Sequence, residues 1–493
     1  MQLTAQLTSS SLPQGDFNSP LLNRMVQVQL VLFAILYAIW ILPETIYLRH
    51  VCLIVGAALG LYQIVHFRAL LVKKSAMPIW LLLGLFAWAI FHLFFLSSNF
   101  ELQLHEFKTI WKRTALGAIF ALGLGLAIAK VGPQKLREYW PLLYLGLIAP
   151  TLIYIFKYIL THSGQAWGLP IPDYLRVQGS TNTFYIAKTS YVCFCLPTLA
   201  VALGQSLLSI RNHIWFSWGN VVYALSIPAI FFVFHAENIK NGVIYGTLLI
   251  LIFTILFLLL NFKQHWRKKV LFIALILLVV MIFLANHIQK NESWKTFAAD
   301  AKIALDTESY DHWKFFGAKG YPNNTSGKMV SNTNYERMAW GKVGLSLIPD
   351  NPLGYGLIED SFGKLTKKKW PESSLRQSHS GWLDFILGMG VPGLMLVWSA
   401  MLGSFILLGK SSYGAIKPWM NACRWILLAS FVMWFTTEVS QRVFLDVLIF
   451  WIAFSSGLAA ALSLILQTAS VSGSTADHWE QGLRRSATEG GIK

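Results

Sequence analysis

The side chains of this chain that could do polar chemistry are concentrated in one segment. Residues 288–382 hold thirteen Lys or Arg and ten Asp or Glu. Near its end stands His379, in Ser378-His379-Ser380-Gly381-Trp382-Leu383. A neutral imidazole can take a proton from a hydroxyl at pH values near neutral. Arg337 lies upstream, in Asn334-Tyr335-Glu336-Arg337-Met338-Ala339-Trp340. A guanidinium grips phosphate or carboxylate through two parallel bonds. Three further cations stand at the edges of apolar runs: Arg176, Lys240 and Arg442. Each has a plainer reading. His379 could bond a carbonyl at an interface, Arg337 could pair with Glu336 or snorkel, and Arg176 could be an interfacial anchor. Arg442 follows Glu438 at the spacing of a helical ion pair. The Lys367-Lys368-Lys369 run reads as a solvated face, or one that meets lipid phosphates.

Metal chemistry finds little support. Asp300, Asp306 and Glu308 are neighbours, as are Glu359 and Asp360, but both groups read as solvated helix or turn. Cys52, Cys193, Cys195 and Cys423 fall in or beside apolar runs, without the spacing of metal ligands or a disulfide framework, and read as small buried hydrophobes. Any chemistry is expected to be independent of metal and cofactor.

The elements that must position these groups are set by composition. Hydrophobic residues make up 55% of the 493, and charged residues only 13%, about half the share of a soluble domain. A bilayer demands such a composition, because each span needs about 20 mostly apolar residues. Apolar runs occur near 25–42, 51–67, 78–96, 114–129, 140–160, 184–209, 214–235, 243–261, 269–287, 383–409, 419–436 and 443–466. They are too long and continuous for barrel strands, which alternate over about ten residues. The fold expected is therefore an all-α polytopic membrane protein of about twelve transmembrane helices. No cleavable signal peptide and no internal repeat is evident.

The basic residues set the orientation. With a cytoplasmic N-terminus, the short inner loops carry fourteen, including Arg68, Lys74, Arg211, Lys268, Lys417 and Arg424, against seven in the short outer loops. That excess is the positive-inside pattern. It divides the chain into spans one to nine (1–287), a helical periplasmic loop domain (288–382), spans ten to twelve (383–466) and a cytoplasmic tail (467–493). The net charge of +17 is thus topological, and its scatter over loops argues against nucleic acid. Within the outer segment, residues 334–348 have helical spacing ended by Pro349. The glycine-rich turn Asp350-Asn351-Pro352-Leu353-Gly354-Tyr355-Gly356 follows.

Arg337 with Trp340, that turn, His379-Ser380-Gly381-Trp382-Leu383 and Gly390-Val391-Pro392-Gly393 occur in this order over residues 334–395. Together they resemble the O-antigen ligase and polymerase superfamily. The resemblance implies a GT-C-like glycosyltransferase in the bacterial inner membrane, with its active site on the periplasmic face. The donor would be a glycan on undecaprenyl diphosphate. The acceptor would be a sugar hydroxyl, on lipid A-core oligosaccharide in the ligases and on a second lipid-linked glycan in the polymerases. His379 and Arg337 would be catalytic, with Arg176, Lys240 and Arg442 binding the diphosphate. At Lys240 the sequence departs from the superfamily, which commonly has Arg one position later, where Asn241 stands.

The ligase reading is preferred to the polymerase because the connection between the fifth and sixth runs is short, about 23 residues, where many polymerases carry a long outer loop. A transporter would call for charges buried mid-span or for broken helices in paired positions, neither of which is evident. A scaffold would leave the His and Arg placement without a purpose.

Overall fold

The computed structural model describes residues 20–214, 217–260, 266–410, 414–437 and 443–462. Each of the twelve apolar runs becomes a helix. The first eight are α1 (Pro20–Trp40), α2 (Ile46–His66), α3 (Met77–Phe91), α4 with α5 (Phe100–Glu106, Lys112–Ile128), α6 (Pro133–Trp167), α7 (Lys188–Arg211), α8 (Trp218–Ala236) and α9 (Lys240–Leu259). The ninth is α10 (Trp266–Gln289). The intervening segment holds α11 (Glu292–Lys295), α12 (Phe297–Ala304), α13 (Asn332–Leu347) and α14 (Ser361–Lys369). The last three runs give α15 (Gly381–Gly409), α16 (Lys417–Met433) and α17 (Val443–Leu462). Among the described residues, ten helices are long and apolar enough to cross a membrane. The run near 419–436 forms a helix of only 17 residues, and the run near 269–287 lies within the 24 residues of α10. The chain is an all-helical, multi-pass membrane protein.

Small residues let these helices approach. A Cβ on Gly60 of α2 would sit 2.4 Å from the Ile119 carbonyl oxygen of α5, and one on Gly123 would sit 2.3 Å from the Gly60 Cα. Gly125 and Gly457 do the same where α5 meets α17. Such backbone contact is what holds helices together in lipid, where burial from water no longer drives them.

Charge does enter the bundle. Asp446 is fully buried, accepting from Arg113 Nε and Thr114 Oγ1, each at 2.6 Å. It is the fourth residue of α17, so the pair sits near a span end rather than at its middle.

The segment from α11 to α14 has its own core of Trp313, Tyr335, Trp340, Phe362 and Leu383. Asp300, expected on a solvated face, is buried at its centre. It accepts from Thr296, Asn324, Asn334 and the Ser331 amide, joining α12 to the start of α13. Burial pushes this carboxyl up, but those four bonds outweigh it and hold it below its ordinary value.

The two glycine-rich motifs pack on each other. α15 breaks at Gly390, with φ 70° and ψ −178°, which frees carbonyls from the helical ladder. The 350–358 turn fills the gap: Tyr355 N donates to Leu387 O at 2.8 Å, Gly356 N to Gly388 O at 2.7 Å, and Val391 N to Pro352 O at 2.8 Å. A Cβ on Gly354 would lie 2.4 Å from Gly388 O, and one on Gly390 2.3 Å from the Leu353 carbonyl carbon. The far side of the turn is held by Glu106, which accepts from the amides of Ile358 (2.5 Å) and Glu359 (3.0 Å). Irregular backbone at span depth is tolerated where protein satisfies it. The sequence reading saw no broken helices in paired positions; among the described residues α15 is the one helix with a non-helical residue inside it, and the docked turn accounts for it.

Candidate functional site

α13 carries Glu336, Arg337 and Trp340 at i, i+1 and i+4, so Glu336 and Trp340 share a face with Arg337 at its edge. The His379 ring stacks on Trp340, with centroids 5.0 Å apart and planes at 19°. Trp340 is fixed in turn by its indole bond to Trp313 O at 2.9 Å.

His379 is held in a left-handed backbone conformation, φ 59°, which costs a residue with a side chain about 1–2 kcal/mol. Its neighbours enforce it. The Ser378 amide donates to Asp384 Oδ1 at 2.8 Å, and Ser380 caps α15 by accepting from Leu383 N.

Arg337 donates to Asn241 Oδ1 at 2.6 Å. Asn241 follows Lys240 at the start of α9, and the Lys240 and Arg337 charges act on each other. Lys240 itself donates to Ser293 Oγ. That bond is one of three tying the α8–α9 turn to the start of the intervening segment. The others are Lys290 to His235 at 2.8 Å and Asn291 to Asn238 at 3.2 Å. His287, 1% exposed, feels the charges of His235, Lys240 and Lys290.

Glu336 is the acid of the cluster, and the sequence offered it only as an ion partner for Arg337. It is buried and accepts from the Tyr321 hydroxyl at 2.5 Å. Burial pushes its carboxyl above the ordinary value; the Tyr321 bond and the nearby His379 and Arg337 partly restrain the rise. It therefore links electrostatically the two residues that the sequence reading took as catalytic.

Three of the five expected residues, Arg337, Lys240 and His379, thus meet through α13 although they lie up to 139 positions apart (379 − 240). Arg176 is not brought to them by any contact among the described residues: it is exposed, bonds Asp173 at 2.5 Å, and lines a small cavity with Lys157 and Glu237. Arg442 lies outside the described residues. Among the described residues no three His, Cys, Asp or Glu gather as a metal site would require.

Residues 241–398 match the family model of the O-antigen ligases. Over those residues the chain is similar to the O-antigen ligase superfamily. The matched segment takes in Asn241, the whole of α13, the docked turn, His379 and the break in α15. No curated protein matches the chain. Members of this superfamily are glycosyltransferase-like enzymes of O-antigen and polysaccharide processing.

Proposed function

We propose that the chain is an O-antigen ligase. It moves a glycan from undecaprenyl diphosphate to a sugar hydroxyl of lipid A-core oligosaccharide, at the periplasmic face of the inner membrane. The observation that carries this reading is the meeting of Arg337, Lys240 and His379 around α13.

The chemistry follows from the charges. The acceptor oxygen bonds to the anomeric carbon as the bond from that carbon to the diphosphate oxygen breaks. The hydroxyl proton passes to His379. The electron pair leaves with the lipid diphosphate, which gains a negative charge as the bond opens. Fixed cations stabilise charge that develops in the transition state: Arg337 by its fork, Lys240 as a point charge in place of the superfamily's arginine. Arg176 and Arg442 complete the diphosphate contacts, Arg176 on releasing Asp173. The Glu336 charge acts on His379, and the carboxylate, when ionised, favours the imidazolium that forms there.

The test is direct. Purified protein is given undecaprenyl diphosphate-glycan and lipid A-core, and the products are separated on a gel. Joined glycan–lipid A-core is the expected product. Longer lipid-linked glycan without joining would make the chain a polymerase, and neither product would remove the transferase reading.

A further inference from the structure

A cavity of about 410 Å³ opens between α7, α9, α15 and α16 at the ends away from the site. Its walls are largely leucine, Leu256 and Leu428 among them, and among the described residues its charged lining is Arg211, Lys417 and Arg424, with no acid. The Arg424 guanidinium lies 4.6 Å from the centroid of the Phe405 ring. Its Nε and the Asn421 Nδ2 are buried without a hydrogen-bond partner. Among the described residues none of the three cations forms an ion pair, although Arg113, Lys135, Arg176 and Lys314 do. Lys417 and Arg424 are partly buried, and such cations left without a counter-charge are costly unless something neutralises them.

The position says where that counter-charge comes from. α9 begins at Lys240, in the site, and its last turn lines the cavity. Its 20 residues put about 30 Å between the two, the thickness of the hydrocarbon layer. The donor diphosphate at the site cannot reach this cavity.

We propose that the cavity binds an anionic phospholipid of the opposite leaflet. The phosphodiester lies among Arg211, Lys417 and Arg424 while an acyl chain runs along the leucines. Basic pockets between spans are built for such headgroups, and the volume suits a ligand of that size. A free phosphate would leave the leucine wall without purpose. A zwitterionic headgroup would bring a fourth cation to the three already there. The proposal stands independently of the transfer reaction.

Native mass spectrometry of the full chain in detergent, titrated with phosphatidylglycerol, phosphatidylcholine or inorganic phosphate, tests it. Phosphatidylglycerol should bind, phosphatidylcholine clearly more weakly, and inorganic phosphate should not displace it. Each of Arg424→Gln, Lys417→Gln and Arg211→Gln should weaken phosphatidylglycerol about fivefold, the worth of one cation near a lipid phosphate. Lys74→Gln, an exposed cation elsewhere, should not. Arg211 is exposed, so its variant carries the test if Arg424→Gln fails to fold. Equal losses in Lys74→Gln and the cavity variants would reduce the effect to general attraction and overturn the site. Equal binding of the two lipids, or full displacement by phosphate, would overturn the ligand.

Discussion

Gly354→Ala should undock the turn that fills the break in α15. The added methyl would sit 2.4 Å from both Gly388 O and Gly390 N, closer than any real contact. It would also be placed on a residue at φ 81°, a conformation costing a side-chain-bearing residue about 1–2 kcal/mol. Relief requires the turn to move and give up its three bonds to α15, each worth about 1 kcal/mol. Together these come to about 4–5 kcal/mol. If half of it is recovered by local shifts, the turn still opens about 2 kcal/mol more easily, a factor of roughly 30 in its opening equilibrium. Hydrogen–deuterium exchange on the full chain should show the Tyr355 and Gly356 amides exchanging at least roughly 30-fold faster, while amides in the middle of α2 stay protected. Transfer activity should fall with it, since α15 begins at the His379 hook. Unchanged exchange at Tyr355 and Gly356 would refute the docking argument.

His379→Ala should cut turnover by roughly 10²–10⁴ and leave donor binding nearly intact; near-normal ligation by folded His379→Gln would remove His379 from the chemistry. Arg337→Lys should fail in transfer because an ammonium keeps the charge but loses the fork, and normal activity would reduce Arg337 to a point charge. Asp300 has a folded pKa below its unfolded one, so its stabilising contribution is full above about pH 4 and is lost as pH falls through the folded value. Proteolysis of the 288–382 segment should therefore rise below about pH 4, and Asp300→Asn should be more sensitive at neutral pH with less of that acid dependence. Transfer should persist in EDTA; loss restored by magnesium would reveal a carboxylate site.

The apolar runs were legible as helices because apolar length is the whole requirement for crossing lipid; each of the twelve coincides with a helix, and among the described residues ten helices are long and apolar enough to cross. The site was legible as a set of motifs, but not as an arrangement. Nothing local in Asn-Pro-Leu-Gly-Tyr-Gly says that Gly354 faces Gly388 and Gly390, and Gly356 the Gln103 side chain, rather than solvent; those are long-range contacts. Asp300 and Glu336 carry no signal of burial, because a carboxylate beside lysines looks solvated until Asn324, Asn334 and Tyr321 are brought to it. Lys240 could be placed at a helix start, yet its bond to Ser293 spans 53 residues.

The three bonds between the α8–α9 turn and residues 290–293 bear on how this protein can be recombined. A graft that exchanged the 288–382 segment by cutting at Gln289 would part Lys290 from His235, Asn291 from Asn238 and Ser293 from Lys240. One that followed the family match would cut between Lys240 and Asn241, separating the lysine from the asparagine that holds Arg337. A transplantable unit has to begin upstream of His235, inside α8, and carry two spans along with the loop. Acceptor preference, if exchanged between relatives, should travel with that larger piece.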